Sequence, residues 1–322
     1  MTHFRTTAWL FPGQGSQAVG MVRDVAAVSA AARVALDTAD ATLGFPLSAL
    51  IFNGPQPDLD DTLNAQPALL TASVALLHAL REHAAAEGIG LPAPQLVVGH
   101  SLGEYSALVA ADALDFADGL RLVRERGRLM KQAGAARPGG MAALIGADDA
   151  TAEAVAAALP EVQVANFNSP GQVVLSGSAE GLAALPEVAK AHGVRKVIPL
   201  AVSIAAHSPL MASIVDEYRA VVEATPLRTP STPVISNVTA QPLTEIADIR
   251  RDLVMQMTAP VRWVADVRAL ADAGVTSFVE IGPGTVLTGL VKRIIKDADA
   301  RAIGTPDDII AYLAATKDAL DA

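Results

Sequence analysis

The sequence of 322 residues contains no cysteine. This absence excludes disulfide bonds, thiolate-bound metal sites and cysteine nucleophiles. Long apolar runs are missing as well, because no stretch approaches the ~20 consecutive apolar residues that a membrane-spanning helix needs. Residues 1–15 also lack the ~7–15-residue apolar run of a signal peptide. We therefore expect a cytoplasmic protein that does not span a membrane.

Basic residues are scarce relative to acidic ones, with 24 Lys and Arg against 34 Asp and Glu. The resulting net charge of −10 argues against nucleic acid as the main partner, because phosphate binding needs a basic surface. Hydrophobic residues make up 51% of the chain, which is enough for a core larger than that of a minimal single domain.

Short apolar strands alternate with helices over the first part of the chain. The sequence predicts strands at 6–11 and 95–99, a long helix at 67–87, and a second helix that Asp115 caps and that extends to about residue 132. A further helix is expected directly after Ser101. Strands that alternate with helices in this way predict an α/β fold with a mostly parallel sheet.

The pattern changes after the glycine pair at 139–140. A β-α-β-β-α-β order follows, which is typical of a ferredoxin-like domain. Its strands are predicted at 141–145, 162–166, 172–176 and 195–199, and its helices at 149–159 and 180–192.

The earlier pattern then returns, with a helix after His207 and strands at 233–236 and 277–281. The sequence therefore predicts a large α/β domain formed by residues 1–136 and 203–322, with a ferredoxin-like insert at 137–202.

The stretch "GHSLG" places Ser101 between Gly99 and Gly103. It fits the G-x-S-x-G pattern, in which a strained turn from strand to helix exposes the serine hydroxyl and the glycines allow close packing. The apolar strand before it and the helix after it strengthen this interpretation. Ser101 is therefore a candidate nucleophile, and a purely structural turn remains the alternative.

A serine hydroxyl needs a base before it can attack. Among the six histidines, His207 in "SIAAHSPLM" is the best candidate, whereas the side chain of His100 should point away from that of its neighbour Ser101. The acidic residues between Ser101 and the insert look helical and exposed, so the sequence predicts no third acidic member. A backbone or amide oxygen could orient the imidazole instead.

The loop "FPGQGSQ" has glycines on both sides of Gln14 and directly follows the first strand. Such a loop can aim backbone N–H groups at an oxyanion, and the N–H of Leu102 lies where the second donor belongs. A phosphate-binding loop is the competing interpretation, but the G-K-[ST] ending and the G-x-G-x-x-G spacing are both absent.

Arg126 lies inside the apolar arc of its helix when the residues from Phe116 are placed ~100° apart. An unpaired charge is costly to bury, so this arginine needs a partner. It could clamp a substrate carboxylate with two parallel hydrogen bonds. It could also extend to the surface or pair with a structural acid.

Together these stretches resemble the malonyl-CoA:acyl-carrier-protein transacylases of fatty-acid synthesis and the related acyltransferase domains of polyketide synthases. The resemblance covers nearly the whole chain. Its motifs occur in order as "FPGQGSQ", "QPALLTASVAL", "GHSLGEYSALVAADALDFADGLRLVRERGRLM", "GGMAALIG", "NFNSPGQVVLSG", "AHSPLM", "PVISNV", "PVRW" and "EIGPGTVLTGLVKRI".

The resemblance implies an α/β-hydrolase-like core with a ferredoxin-like insert, and it gives roles to six residues. They are Ser101 as nucleophile, His207 as base, Gln14 and Leu102 as oxyanion donors, Arg126 as ligand of the malonyl carboxylate, and Gln256, whose main-chain oxygen would orient the histidine.

The implied reaction is a ping-pong transfer of malonyl from malonyl-CoA to the phosphopantetheine thiol of acyl carrier protein. No metal or redox cofactor is expected, because CoA is part of the substrate, and we expect a monomer. The alternatives are a serine esterase or thioesterase, a malonyl or methylmalonyl acyltransferase of polyketide synthesis or of malonate decarboxylase, and a non-catalytic protein that only binds the carrier protein.

Overall fold

A computed structural model describes residues 6–321, so residues 1–5 and 322 of the predicted large domain lie outside the described part. Within this range the strands are β1 Thr7–Phe11, β2 Leu96–Gly99, β3 Gly139–Ile145, β4 Val162–Ser169, β5 Gln172–Ser178, β6 Lys196–Pro199, β7 Val234–Ile235, β8 Pro242–Leu243, β9 Ser277–Ile281 and β10 Asp299–Ile303.

The α-helices over the same range are α1 Arg23–Val28, α2 Ala30–Leu43, α3 Leu47–Asn53, α4 Gln56–Asp60, α5 Thr62–Ala86, α6 Gly103–Ala110, α7 Phe116–Ala136, α8 Asp149–Ala157, α9 Ala179–Ala191, α10 Val215–Ala224, α11 Ile246–Met255, α12 Trp263–Asp272, α13 Val286–Ile294 and α14 Pro306–Asp321. A 3₁₀ helix, Pro209–Ile214, precedes α10.

The larger sheet has the strand order β10-β9-β1-β2-β7-β8, and every neighbouring pair is parallel except β7 with β8. Its central strands β1 and β2 are buried along their whole length. Continuous apolar strands such as "TAWLF" and "LVVG" are what a parallel sheet covered on both faces requires.

The smaller sheet is antiparallel and has the order β4-β5-β3-β6. Helices α8 and α9 lie between its strands in the sequence, which gives the β-α-β-β-α-β order of a ferredoxin-like unit. The predicted fold class, an α/β-hydrolase-like core with a mostly parallel sheet and a ferredoxin-like insert, is confirmed.

Backbone hydrogen bonds join the insert directly to the core. The N–H of Phe167 donates to the carbonyl of Val261 at 2.9 Å, and the N–H of Val261 donates to the carbonyl of Ala165 at 2.8 Å. Strand β4 is therefore fixed against the segment that leads into α12, and the insert forms one wall beside the carboxyl ends of the parallel strands.

Helix α5 begins five residues before the predicted start at 67, so this boundary was wrong. Asp61 caps the helix through Leu63, and Pro67 lies inside it. A proline cannot donate to the carbonyl four residues earlier, which here belongs to Leu63. The side chain of Arg124 donates to that carbonyl at 2.8 Å, so a tertiary contact replaces the missing helical hydrogen bond.

Helix α5 is also long and apolar enough to cross a membrane when only its length and composition are considered. Its most apolar 18-residue window is 83% buried inside the protein. It packs against α2 and α7, so the residues that make it apolar belong to the core.

Two more differences concern short elements. The segment after His207 first forms the 3₁₀ helix, because Ser208 accepts from the N–H of Leu210 and Pro209 occupies the first turn. The predicted strand at 233–236 is only two residues long, since Ser236 is hydrogen-bonded into a turn by the N–H groups of Val238 and Thr239.

The turn between β2 and α6 depends on two glycines. A Cβ atom added at Gly99 would lie 1.8 Å from the carbonyl carbon of Gly103, and one added at Gly103 would lie 1.9 Å from the carbonyl oxygen of Phe11. Neither contact can be relieved by a side-chain rotation, because the opposing atoms are backbone. The close packing of β1, β2 and α6 therefore requires glycine at both positions.

We expect Gly103→Ala to lower the free energy of unfolding by about 3 kcal/mol or more, because the backbone of Phe11 must move. Gly289→Ala is the matched control: no atom lies within 4 Å of its added Cβ, and alanine should stabilise this helical position by about 0.5–1 kcal/mol. Urea unfolding measures both changes. Equal stability of the two variants would contradict the packing argument.

Candidate active site

Three adjacent strands of the larger sheet end at the same edge. The Gln14 loop follows β1, Ser101 follows β2, and Asn237 follows β7 by two residues. Loops at the carboxyl ends of neighbouring parallel strands lie close together, which is where α/β proteins place their sites. A cavity of about 180 Å³ at this edge is lined by Gln14, Ser101, Leu102, Arg126 and His207.

Ser101 has a φ of 52°, in the left-handed region that a non-glycine residue rarely adopts. Its N–H donates to the Oδ1 atom of Asn237 at 2.6 Å, and the Nδ2 atom of Asn237 donates to the carbonyl of Gly99 at 2.7 Å. One amide side chain thus bridges both ends of the turn and holds its strained backbone. The sequence analysis did not identify Asn237, although it belongs to the quoted motif "PVISNV".

His207 lies beside Ser101, with its Nε2 atom 2.7 Å from the serine Oγ atom. Its Nδ1 atom lies 2.8 Å from the main-chain oxygen of Gln256. A carbonyl only accepts, so Nδ1 carries the proton and Nε2 is free to accept from the serine hydroxyl. The carbonyl of Gln256 occupies the position that an acid takes in a Ser-His-Asp triad.

Burial lowers the pKa of His207 to about 3, and the positive charge of Arg126 adds to this effect. The imidazole is therefore neutral at pH 7 and able to accept a proton. Since the pKa of the folded protein is below the ordinary value of 6.5, the unfolded chain binds the proton first as the pH falls. This group's contribution to stability is complete at neutral pH and decreases between about pH 6.5 and pH 3.

Arg126 is 2% exposed and points into the same cavity. Its Nη1 atom donates to Oε1 of Gln66 at 2.9 Å, and its Nη2 atom donates to Oε1 of Gln256 at 2.8 Å and to the hydroxyl of Ser101 at 3.2 Å. The guanidinium also lies over the ring of Tyr105, 5.4 Å from its centroid. The hydrogen-bond partners of Arg126 among residues 6–321 are all uncharged, which speaks against the structural ion pair considered as an alternative.

Gln14 and Leu102 both line the cavity. Over the described part of the chain, the main-chain N–H groups of these two residues form no hydrogen bond. The side chain of Gln14 is held by the hydroxyl of Thr62, which donates to its Oε1 atom at 2.6 Å. Two unpaired N–H groups beside a serine hydroxyl can stabilise an oxyanion.

The prediction that acids between Ser101 and the insert are exposed was wrong for Glu104, which is fully buried. Its Oε2 atom accepts from Nε2 of Gln256 at 3.0 Å. Helix α6 lies beneath the sheet edge and is buried on nearly every side, so its sequence offered no exposed face from which to judge this residue. The side chain of His100 points away from Ser101 and bonds to Asn168, as expected.

Within residues 6–321, no group of three or more histidine, aspartate and glutamate residues is placed to hold a metal ion.

The parallel sheet, the strand-to-helix turn and the serine–histidine contact place the protein in the broad class of serine hydrolases and acyltransferases. A family model described as "Acyl transferase domain" matches residues 8–309. The chain belongs to this acyl transferase family, and the resemblance inferred from the sequence is confirmed.

Curated relatives carry a more specific name. The malonyl CoA-acyl carrier protein transacylase of Bacillus subtilis is 45% identical over 306 residues, covering 94% of each chain. The protein of the same name from Escherichia coli O157:H7 is 43% identical over 316 residues, covering 97% of this chain and 99% of its own.

Solved structures agree with these relatives. The malonyl-CoA:acyl carrier protein transacylase of Xanthomonas oryzae superposes with a TM-score of 0.91 at 42% identity, over 98% of this chain and 99% of its own. A malonyl-transacylase solved in complex with the holo acyl carrier protein of a type II polyketide synthase has a TM-score of 0.91 at 39% identity, over 96% of this chain and 99% of its own.

We expect His207 to remain neutral from about pH 8 down to about pH 5, because burial and Arg126 both disfavour the imidazolium. Arg126→Met should raise the pKa of His207, since it removes the positive charge and leaves the ring buried. NMR spectra of ¹⁵N-histidine-labelled protein report the protonation state directly. Protonation of His207 in the wild-type protein between about pH 6 and pH 7 would contradict this account.

Proposed function

We propose that this protein transfers a malonyl group from malonyl-CoA to the phosphopantetheine thiol of acyl carrier protein, in fatty-acid biosynthesis, through a malonyl ester on Ser101. The observation that carries the proposal is the buried guanidinium of Arg126, which has only uncharged partners and reaches within 3.2 Å of the serine hydroxyl. An acyl group attached to Ser101 that ends in a carboxylate supplies the missing anion.

In the first half-reaction His207 accepts the proton of the Ser101 hydroxyl through Nε2, and the serine oxygen attacks the thioester carbon. The negative charge on the former carbonyl oxygen is stabilised by the N–H groups of Gln14 and Leu102. The carbon–sulfur bond then breaks, and CoA leaves with the proton from His207. The products are the malonyl-serine ester and free CoA.

In the second half-reaction the thiol of the carrier protein's phosphopantetheine replaces CoA in the cavity. His207 accepts the thiol proton, and the sulfur attacks the ester carbon. The bond to the Ser101 oxygen breaks and the proton returns to that oxygen. The main-chain oxygen of Gln256 fixes the imidazole in both halves, since it accepts from Nδ1 throughout.

Arg126 binds the malonyl carboxylate through its planar guanidinium. The pair forms in a cavity shielded from water, where charge-assisted hydrogen bonds are strongest. A bound carboxylate also offsets the positive charge that lowers the pKa of His207, so substrate binding makes the histidine a stronger base.

Hydrolysis is the chief alternative, because a thioesterase could use the same serine and histidine. The curated relatives quoted above are named transacylases, and one solved neighbour holds a carrier protein, which favours transfer to a thiol. The polyketide, malonate decarboxylase and non-catalytic alternatives receive no separate support from the site.

We further propose that the large domain comprises residues 1–136 and 203–322 and the insert residues 137–202. The chemistry above needs no metal ion or redox cofactor, since the side chains and backbone named here supply the nucleophile, the base and the charge stabilisation. We place the reaction in the cytoplasm and expect a monomer, which sedimentation would test.

Mixing the protein with malonyl-CoA should add the mass of one malonyl group, and holo carrier protein should then remove that mass and gain it. Ser101→Ala should form no adduct, and His207→Ala should form it about 10²–10⁴-fold more slowly. Intact-mass spectrometry follows both proteins in one assay. Discharge to water at the same rate without carrier protein would identify a thioesterase, and an adduct on Ser101→Ala would refute the assigned nucleophile.

Arg126→Ala should lose about 2–5 kcal/mol of transition-state stabilisation with malonyl-CoA, or roughly 30-fold or more in kcat/KM. The reaction with acetyl-CoA should be retained or improved, because a neutral acyl group does not use the guanidinium. Arg124→Ala is the matched control on the same helix, since Arg124 contacts Leu63 and Asn64 outside the cavity. Equal losses with both substrates, accompanied by a lower Tm, would remove Arg126 from the acyl site.

A further inference from the structure

Two carboxyl groups are buried beneath the active site without a cation in contact. Glu104 in α6 is 0% exposed, and Asp252 in α11 is 4% exposed. The Oε2 atom of Glu104 accepts from Nε2 of Gln256 at 3.0 Å and from the N–H of Asn237 at 3.3 Å. The Oδ1 atom of Asp252 accepts from the hydroxyl of Ser236.

The remaining oxygen of each group, Oε1 of Glu104 and Oδ2 of Asp252, is buried with no hydrogen-bond partner. The two side chains are nevertheless within hydrogen-bonding reach of each other. Two ionised carboxylates in such a place would repel strongly, and each would leave one oxygen unsatisfied. A single proton between these two oxygens removes the repulsion and gives both a partner.

Electrostatics points the same way. Burial raises the pKa of Glu104 well above its ordinary value, and the neighbouring charge of Asp252 raises it further. At neutral pH the proton is therefore held on Glu104 and donated to Asp252.

The side-chain amide of Gln256 connects this pair to the acyl site. Its two N–H donors face acceptors, Glu104 at 3.0 Å and the carbonyl of Ser101 at 3.2 Å. Because both donors are taken on that side, the Oε1 atom must face Arg126, which donates to it at 2.8 Å. An amide turned the other way would present its N–H groups to the guanidinium, donor against donor.

We propose that Glu104 and Asp252 share one proton and act as a positioning pair, which fixes the amide of Gln256 and, through it, the guanidinium of Arg126. The inference rests on the proposed function, because the aim of Arg126 matters only for an acyl group that carries a carboxylate. With one proton the pair has a charge of −1 and compensates the buried arginine through the intervening amide.

Two replacements of Glu104 distinguish the shared proton from two ionised groups. In Glu104→Gln the amide oxygen can accept from Gln256 while its N–H donates to Asp252, as the protonated acid does. The ratio of kcat/KM for malonyl-CoA to that for acetyl-CoA should stay within about threefold of the wild-type ratio. Glu104→Met has a similar size but no acceptor, and the ratio should fall by about 10–100-fold as Arg126 loses its orientation.

The path through Gln256 is tested by a double-mutant cycle. Gln256→Ala should lower the malonyl-to-acetyl ratio as Glu104→Met does, and combining the two should lower it no further. Glu280→Gln is a control for the loss of a buried carboxylate, because Glu280 accepts from the N–H groups of Leu287 and Thr288 and does not touch Gln256. It should lower Tm and leave the ratio within about threefold.

Infrared spectroscopy gives a readout that is independent of activity. The wild-type protein should show the C=O band of a buried carboxylic acid, and Glu104→Gln should lose one such group. This band and the ratio for Glu104→Gln decide the matter if Glu104→Met does not fold.

Three results would overturn the pair: an unchanged acid band in Glu104→Gln, a ratio for Glu104→Gln as low as that of Gln256→Ala, or additive losses in the cycle. A wild-type protein that shows the expected band but forms no malonyl adduct would instead refute the proposed function and leave the pair standing.

Discussion

The contact between Arg126 and its uncharged neighbours is the interaction on which the site depends. Two glutamine amides, a serine hydroxyl and an aromatic face hold a guanidinium that is 2% exposed. Burying such a charge without an anion costs free energy, which the binding of an anionic group recovers. The same charge helps to keep His207 neutral, so a single side chain selects the acyl group and prepares the base.

The scaffold holds these groups by backbone geometry more than by side-chain packing. Both Ser101 and His207 have positive φ values, 52° and 57°. Such conformations persist only where surrounding contacts determine them, and here Asn237 and the carbonyl of Gln256 supply those contacts. The glycines of the turn let two strands and a helix approach closely enough for these contacts to form, which is why the reacting atoms can be placed to within a few tenths of an ångström.

Local patterns in the sequence predicted the turn at Ser101, the loop at Gln14 and the inward direction of Arg126, because each lies on one element with its own signature. The pairing of His207 with Gln256 came from the resemblance, since residues 49 positions apart carry no local sign of contact. The burial of Glu104 and the bridge made by Asn237 arise when helices and strands pack, so no periodicity reveals them. The early start of α5 escaped prediction for a related reason, because a distant arginine completes the hydrogen bond that Pro67 cannot make.

The parallel sheet is assembled from both ends of the chain, because β1 pairs with β2 on one side and with β9 on the other. During synthesis the nucleophile therefore leaves the ribosome long before its base, which lies 106 residues later, and before the strand that completes its sheet. The insert is made in between and is held to the core only once Val261 has been added. A nascent chain thus carries its reactive serine without an activating histidine, and reactivity arises only when the fold is nearly complete.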